Sequence, residues 1–310
     1  MPINSINLNG PFVGPGGAIL GVTGGGLVHY VYSDANGNGV ASLDKLQPGI
    51  SDSQNISVAV ALTKCRADRN DLIVCLPGHV ENLATAGAWA PVAGVTIIGQ
   101  GVGDDRATFT WSAAAATLPI NVANFRILNC NLYVAGPTPA VALTVAAPIT
   151  ISAAGCEISD CYIPWGWANN QIVGIGITTT AAADRLKFNR NNCPAVVAAV
   201  PTTTFLRLTG TDNLEMDGTF ISGPGSTTTI GPVQQLTTAG LNTKITNSIF
   251  QNTLASSTIA FTAIAGNTGI VSRCDFGVLA AGNGITTGSG LQVCGSYVAA
   301  AAGAGTLATG

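Results

Sequence analysis

Arg126-Ile-Leu-Asn-Cys-Asn-Leu132 and Glu157-Ile-Ser-Asp-Cys-Tyr-Ile163 state one pattern twice: an apolar residue, a polar one, then Asn, Asp, Arg or Gly, then a small side chain before the next apolar position. The same pattern returns in Lys187-Phe-Asn-Arg-Asn-Asn-Cys193, Glu215-Met-Asp-Gly-Thr-Phe-Ile221, Lys244-Ile-Thr-Asn-Ser-Ile-Phe250 and Ile270-Val-Ser-Arg-Cys-Asp-Phe276. Marking the second residue of each gives Ile127, Ile158, Phe188, Met216, Ile245 and Val271, with Ile97 before them and Val293 after. The successive intervals are 30, 31, 30, 28, 29, 26 and 22 residues. Self-similarity at such a period is the signature of a repeat architecture, in which each unit buries its apolar face against its neighbours.

The stretches between the marks hold short alternating β-type runs and turn residues, with no helical pattern. Leucine-rich repeats would need helical halves, and propeller blades would need about 40 residues with hairpin turns between strands. A parallel β-helix coil of three short strands fits, with longer turns on one side raising the interval. About eight coils fit between residues 70 and 298. The fold expected is therefore all-β, a right-handed parallel β-helix. Like positions of successive coils then lie about 4.8 Å apart. The corner after each marked strand is occupied by Cys130, Cys161, Thr219, Ser248 and Cys274, and Asn129, Asp160 and Asn247 beside it suit a left-handed backbone. These residues are read as structural.

Composition narrows the function. Hydrophobic residues make up 47% of the chain and charged residues only 9%, against about a quarter in ordinary domains. A surface so poor in charge is expected to be covered partly by other chains. The formal net charge is -3 and the densest basic group is the loose set Lys64, Arg66 and Arg69, so phosphate neutralisation has little to work with and no nucleic-acid partner is expected. Gly, Pro, Thr and Asn interrupt every apolar window before the roughly 18 residues of a membrane helix. The start Met1-Pro-Ile-Asn-Ser5 lacks the features of a secretory signal, so assembly in the cytoplasm is expected. Eight cysteines without CxxC pairs or neighbouring histidines read as reduced, buried small hydrophobes.

Four segments follow. Residues 1–28 are a Gly-rich extended arm, whose apolar Pro11, Phe12, Val13, Ile19, Leu20 and Val22 are the expected subunit contacts. Residues 29–70 hold an opening strand and a capping helix over 53–65, with Ser51, Asp52 or Ser53 as its cap and Ile56, Ala59, Val60 and Leu62 to Thr63 near its buried face. Residues 71–298 are the coils, and 299–310 a tail. A cap is required because an open solenoid end presents unpaired strand edges.

The first third resembles the pectate-lyase-like β-helix proteins of bacteriophages and bacteria. The likeness lies in His29-Tyr-Val-Tyr-Ser-Asp-Ala-Asn-Gly37, then the helix, then Asp71-Leu-Ile-Val-Cys-Leu-Pro-Gly-His-Val-Glu81, then Gly94-Val-Thr-Ile-Ile-Gly-Gln-Gly-Val-Gly103. It covers roughly residues 29 to 112 by motif and implies an opening strand, a Pro-Gly turn that begins the coils and a glycine turn that closes the first. It implies little about function, since the scaffold carries lyases, hydrolases, adhesins and inert virion parts.

The residues themselves offer no assembled chemistry. Glycoside hydrolysis needs carboxylates several ångströms apart on one face. The adjacent pair Asp104-Asp105 sits in a turn, and Asp160, Asp184, Asp212, Asp217 and Asp275 occupy differing places in the repeat. β-Elimination needs a base with calcium held by clustered carboxylates, and Arg190, Arg207 and Arg273 lack companion acidic clusters. His29 and His79 read as strand-end and turn residues. Trp165 and Trp167 form the one feature resembling a sugar-stacking platform, with packing against another subunit as the other reading. Neither a cofactor, a metal nor a catalytic residue is expected. The function expected is a structural virion protein: a capsid decoration, or cement, protein, homotrimeric by analogy with viral β-helices, whose arm contacts the major capsid protein and neighbouring decoration subunits on the capsid surface. The alternative is a tailspike-like protein that binds or cleaves host carbohydrate.

Overall fold

A computed structural model describes residues 11–13, 19–21, 26–33, 57–134, 143–145, 147–165, 171–173, 175–195, 204–224, 231–235, 238–282, 284–286, 290–300 and 306–307. They form a right-handed parallel β-solenoid with three faces and about 6 turns. The first face holds the marked residues. Its strands run from Val28–Val31 through Leu72–Cys75, Thr96–Gly99, Arg126–Leu128 and Glu157–Ser159. Single bridges at Lys187 carry the stack on to Glu215–Asp217, Thr243–Thr246, Gly269–Ser272 and Leu291–Cys294. The register is the one the repeat requires: Ile97 lies over Ile127, Ile127 over Ile158, Met216 over Ile245, Ile245 over Val271 and Val271 over Val293. The second face continues through Asn131–Val134 to Tyr297–Ala300. The third is a continuous 7-stranded sheet from Leu118–Ile120 to Gly284–Ile285. The eight recurrences of the sequence thus outnumber the complete turns, because the third face begins later than the first and ends before it among the described residues.

Backbone conformation explains why so few residue types recur at the corners. Asn129, Asp160, Arg190, Gly218, Asn247, Arg273 and Gly295, each two residues after a mark, all have φ between 50° and 59°. A second left-handed position precedes the strand at Asn70, Gly94, Asn124, Gly155, Arg185, Asn213, Asn242 and Gly290. Asn, Asp and Gly tolerate this region at low cost. Arg190 is an exception, and its guanidinium grips the Asp160 carboxylate of the preceding coil with two hydrogen bonds of 2.7 Å.

The small residue after the left-handed corner accepts the backbone N–H of its counterpart one coil earlier. Cys161 N–H donates to Asn191 Oδ1 (2.9 Å), Thr219 N–H to Ser248 Oγ (3.1 Å) and Cys274 N–H to Ser296 Oγ (3.1 Å). The thiols of Cys161 and Cys274 accept from Cys130 and Ser248 in the same way. Cys, Asn, Thr and Ser share a short acceptor that fits inside the rod, which is why they interchange here. All eight cysteines are free thiols. Six are buried; Cys65 is half-buried and Cys294 exposed, which corrects the expectation that all are buried.

The interior is one continuous apolar column, with Phe250 stacked on Phe276 at 5.7 Å and Trp89 edge-on to Phe109 at 4.8 Å. A short helix, Val58–Leu62, packs on the first two strands of the first face through Val58, Ala61 and Leu62. Its N-cap is Ser57, whose hydroxyl accepts from Val60 N–H. This corrects the expected start: the helix is shorter, so Val60 faces solvent at 39% exposure and Ala61 turns inward. Ser51, Asp52, Ser53 and Ile56 lie outside the described residues. The arm is not wholly irregular either, since Pro11–Val13 pairs antiparallel with Ile19–Gly21. Beside the three faces, Leu143–Val145 and Gln171–Val173 pair in parallel as a separate small sheet.

Asn191 is 1% exposed, and its amide also donates to Ile158 C=O at 2.8 Å. Asn191→Leu leaves a buried N–H and C=O unpaired, at about 1–3 kcal/mol each. Urea unfolding is expected to show a loss of about 2–4 kcal/mol; a variant within 0.5 kcal/mol of the parent, roughly the size of a neutral surface change, would refute the ladder's role.

Candidate functional site

Polar side chains gather where the cap helix meets the first coil. Strand geometry places residues i and i+2 on the same side, so His79 and Glu81 project together from the start of the second face. His79 is fully buried; its Nδ1 accepts from Ser33 N–H at 2.9 Å, and its Nε2 lies 3.4 Å from Glu81 Oε2. Glu81 also accepts from Val58 N–H (2.8 Å) at the start of the helix and from Trp89 Nε1–H (3.1 Å). Glu81 therefore ties the cap helix and a core tryptophan to the first coil, and His79 beside it ties in the end of the opening strand. An anionic acceptor on an otherwise unpaired helical N–H is favourable.

A second cluster lies beside it. Asp71, fully buried, takes four donors: Leu27 N–H at 2.7 Å, Arg66 N–H at 2.9 Å and two from Arg69, each at 2.6 Å. Burial alone would raise this carboxyl; Arg69 and the two backbone donors outweigh it and hold it below the usual range. A ring nitrogen of His29, the Cys65 Sγ and a carboxylate oxygen of Asp71 all lie within 4.8 Å of one another. Burial lowers the His29 imidazole below its ordinary value, and its Nε2 has no hydrogen-bond partner among the described residues. Burial, reinforced by the Asp71 carboxylate, pushes the Cys65 thiol up to about 12.

On the outside of the rod the charges also stack. The residue before each of the five marks from Ile127 to Ile245 is charged, reading Arg126, Glu157, Lys187, Glu215, Lys244, and the strands set them one above another. Arg126 and Glu157 approach to 3.8 Å and Lys187 and Glu215 to 3.7 Å. Pairs so exposed add little stability, but alternation disfavours a slip by one coil. This column was present in the first residues of the repeat and escaped the sequence reading, which followed the apolar positions instead.

The carboxylates considered for catalysis serve the coils. Asp217 accepts from Thr246 Oγ1–H and Asn247 Nδ2–H, which hold it below its ordinary value. Asp184 and Asp212 do share a place in the repeat, contrary to the expectation: Asp184 Oδ1 accepts from Asp212 N–H (3.4 Å), and Asp212 Oδ1 accepts from Leu241 N–H (2.7 Å). Asp104 and Asp105 lie in an exposed 3-10 turn.

Trp165 is corrected most sharply. It is 1% exposed, donates through Nε1–H to Cys193 C=O at 3.1 Å and packs on Phe205 at 5.3 Å. Its ring fills the space above Gly223, where a Cβ would come within 2.2 Å of it. It is a core side chain and presents no face to a sugar or a subunit. Trp167 lies outside the described residues, as does Val22; of Pro11, Phe12, Val13, Ile19 and Leu20 the structure describes backbone pairing alone. No protein-family model, no curated protein and no solved structure matches the chain.

His29 must gain a proton on unfolding in mild acid. With its folded value below the unfolded value of about 6.5, the unfolded state binds more protons, so stability holds above about pH 6.5 and falls as pH drops below it. Denaturant midpoints between about pH 7 and 5 are expected to fall more steeply for the parent than for His29→Gln; equal slopes would mean that His29 does not couple to folding.

Proposed function

We propose that this chain is a structural component of a virus particle, most specifically a capsid decoration protein of phage type acting as a homotrimer. The observation that carries this reading is that the rod commits its polar side chains to its own coils. Asp71, Glu81, Asp160, Asp212 and Asp217 each bind a neighbouring segment. That arrangement favours a stiff, register-locked body over a cleft that must exchange ligands. Exposed apolar side chains on the later coils, Leu241, Ile249, Ile270, Leu279 and Tyr297, supply lateral surface for neighbouring copies. The two-stranded arm carries Pro11, Phe12, Val13, Ile19 and Leu20 as the contacts to the major capsid protein and adjacent decoration subunits.

The carbohydrate reading keeps one supporting feature: Asp184 and Asp212 share a place on successive coils, and glycoside hydrolysis uses a pair of carboxylates. Three measurements separate the readings. Gold-labelled antibody against the chain is expected on particle heads, and a chain lacking residues 1–28 is expected to lose its place there. Label on tails, or full head occupancy without the arm, overturns the proposal. So would new reducing ends released from host-type polysaccharide by the parent chain and lost in Asp184→Asn or Asp212→Asn.

A further inference from the structure

We propose that His29, Cys65 and Asp71 form a site for one divalent cation of the zinc class, and that the ion takes the place of the Arg69 guanidinium. The three ligand atoms come from the opening strand, the segment after the cap helix and the start of the next strand. They already lie within 4.8 Å of one another. Zinc bonds of about 2.0–2.3 Å in tetrahedral geometry separate ligands by roughly 3.3–3.8 Å, so contraction by about an ångström suffices. Thiolate, imidazole and carboxylate together suit a borderline-soft ion better than calcium or magnesium.

A separate observation points to a ligand. His29 is 6% exposed, and its buried Nε2 makes no hydrogen bond among the described residues. A buried polar atom of this kind is normally satisfied, and a metal ion satisfies it where a donor or acceptor has not been supplied.

Charge balance indicates how the ion enters. The Asp71 carboxylate is fully buried and needs a cation, which Arg69 provides through bonds of 2.6 Å while its own side chain remains 23% exposed. Arg69 can therefore swing into water without leaving a hole in the core. The entering ion bonds to a His29 ring nitrogen, an Asp71 oxygen and Cys65 Sγ; the Cys65 S–H bond breaks and its proton passes to solvent. Two positive charges then face one carboxylate and one thiolate, and the fourth coordination position is open to water. Such an ion would fasten the cap segment to the first strand pair.

The test uses the full chain carrying Cys294→Ser, which removes the exposed thiol, reduced and stripped with chelator. Titration with cobalt(II) is expected to give one equivalent of binding, with a thiolate-to-cobalt band in the near ultraviolet that zinc(II) bleaches. Cys65→Ser is expected to abolish the band. Arg69→Gln is expected to tighten binding about tenfold, the scale of effects from groups around a metal's ligands, a gain that a damaged fold cannot imitate. No thiolate band in the parent, a band that survives Cys65→Ser, or weaker binding in Arg69→Gln would each overturn the proposal. The outcome is independent of whether the protein belongs to a virus particle.

Discussion

Every coil must hand its backbone hydrogen bonds to the next coil at the same register, and this requirement governs the molecule. Along the strands it is met by ordinary parallel pairing. At the corners the chain changes direction and pairing alone fails, so the two left-handed residues around each marked strand swing the backbone and a short buried acceptor collects the amide left over. Cys161, Asn191, Thr219, Ser248 and Cys274 differ in chemistry yet hold one place, because each presents an acceptor about two bonds from the backbone. Slipping one coil would break the amide ladder inside and oppose like charges outside.

The N-terminal end obeys a different rule, since among the described residues its first strand has a neighbour on one side only. There the structure gathers polar groups of a kind it keeps out of the central coils. Glu81 joins the helix and a tryptophan to its strand, and Asp71 binds two backbone N–H groups and Arg69. Buried carboxylates with several donors are costly to form and costly to break, so they specify one seating of the cap among many that apolar packing alone would allow.

Most of the fold was legible in the sequence because each coil repeats one set of demands. The marks from Ile97 to Val293 stack in register, and Asn129, Asp160 and Asn247 adopt the left-handed backbone their residue types suggest. Arg185, Arg190 and Arg273 share that conformation, which their residue type does not suggest, since arginine has no local preference for it. Trp165 was misread for a related reason. Its neighbours Pro164 and Gly166 suggest an exposed turn, whereas the space that accepts its ring is made by Gly223, far along the chain. The cap cluster draws on residues 29, 65 and 71, which no local pattern connects. The helix start was misplaced because several serines compete for one capping role and tertiary contact to Glu81 decides among them.

The paired segments Leu143–Val145 and Gln171–Val173 show what becomes of residues that exceed one coil's needs. Each belongs to the stretch between the second and third faces, and the two find each other in the same parallel sense as the coils they leave. A bare insertion would have to bring its own partner; here an adjacent coil of similar length already provides one. The rod can in this way grow a lateral fin without altering a single core position, and the shape it shows to its surroundings can diverge while the column beneath stays as it is.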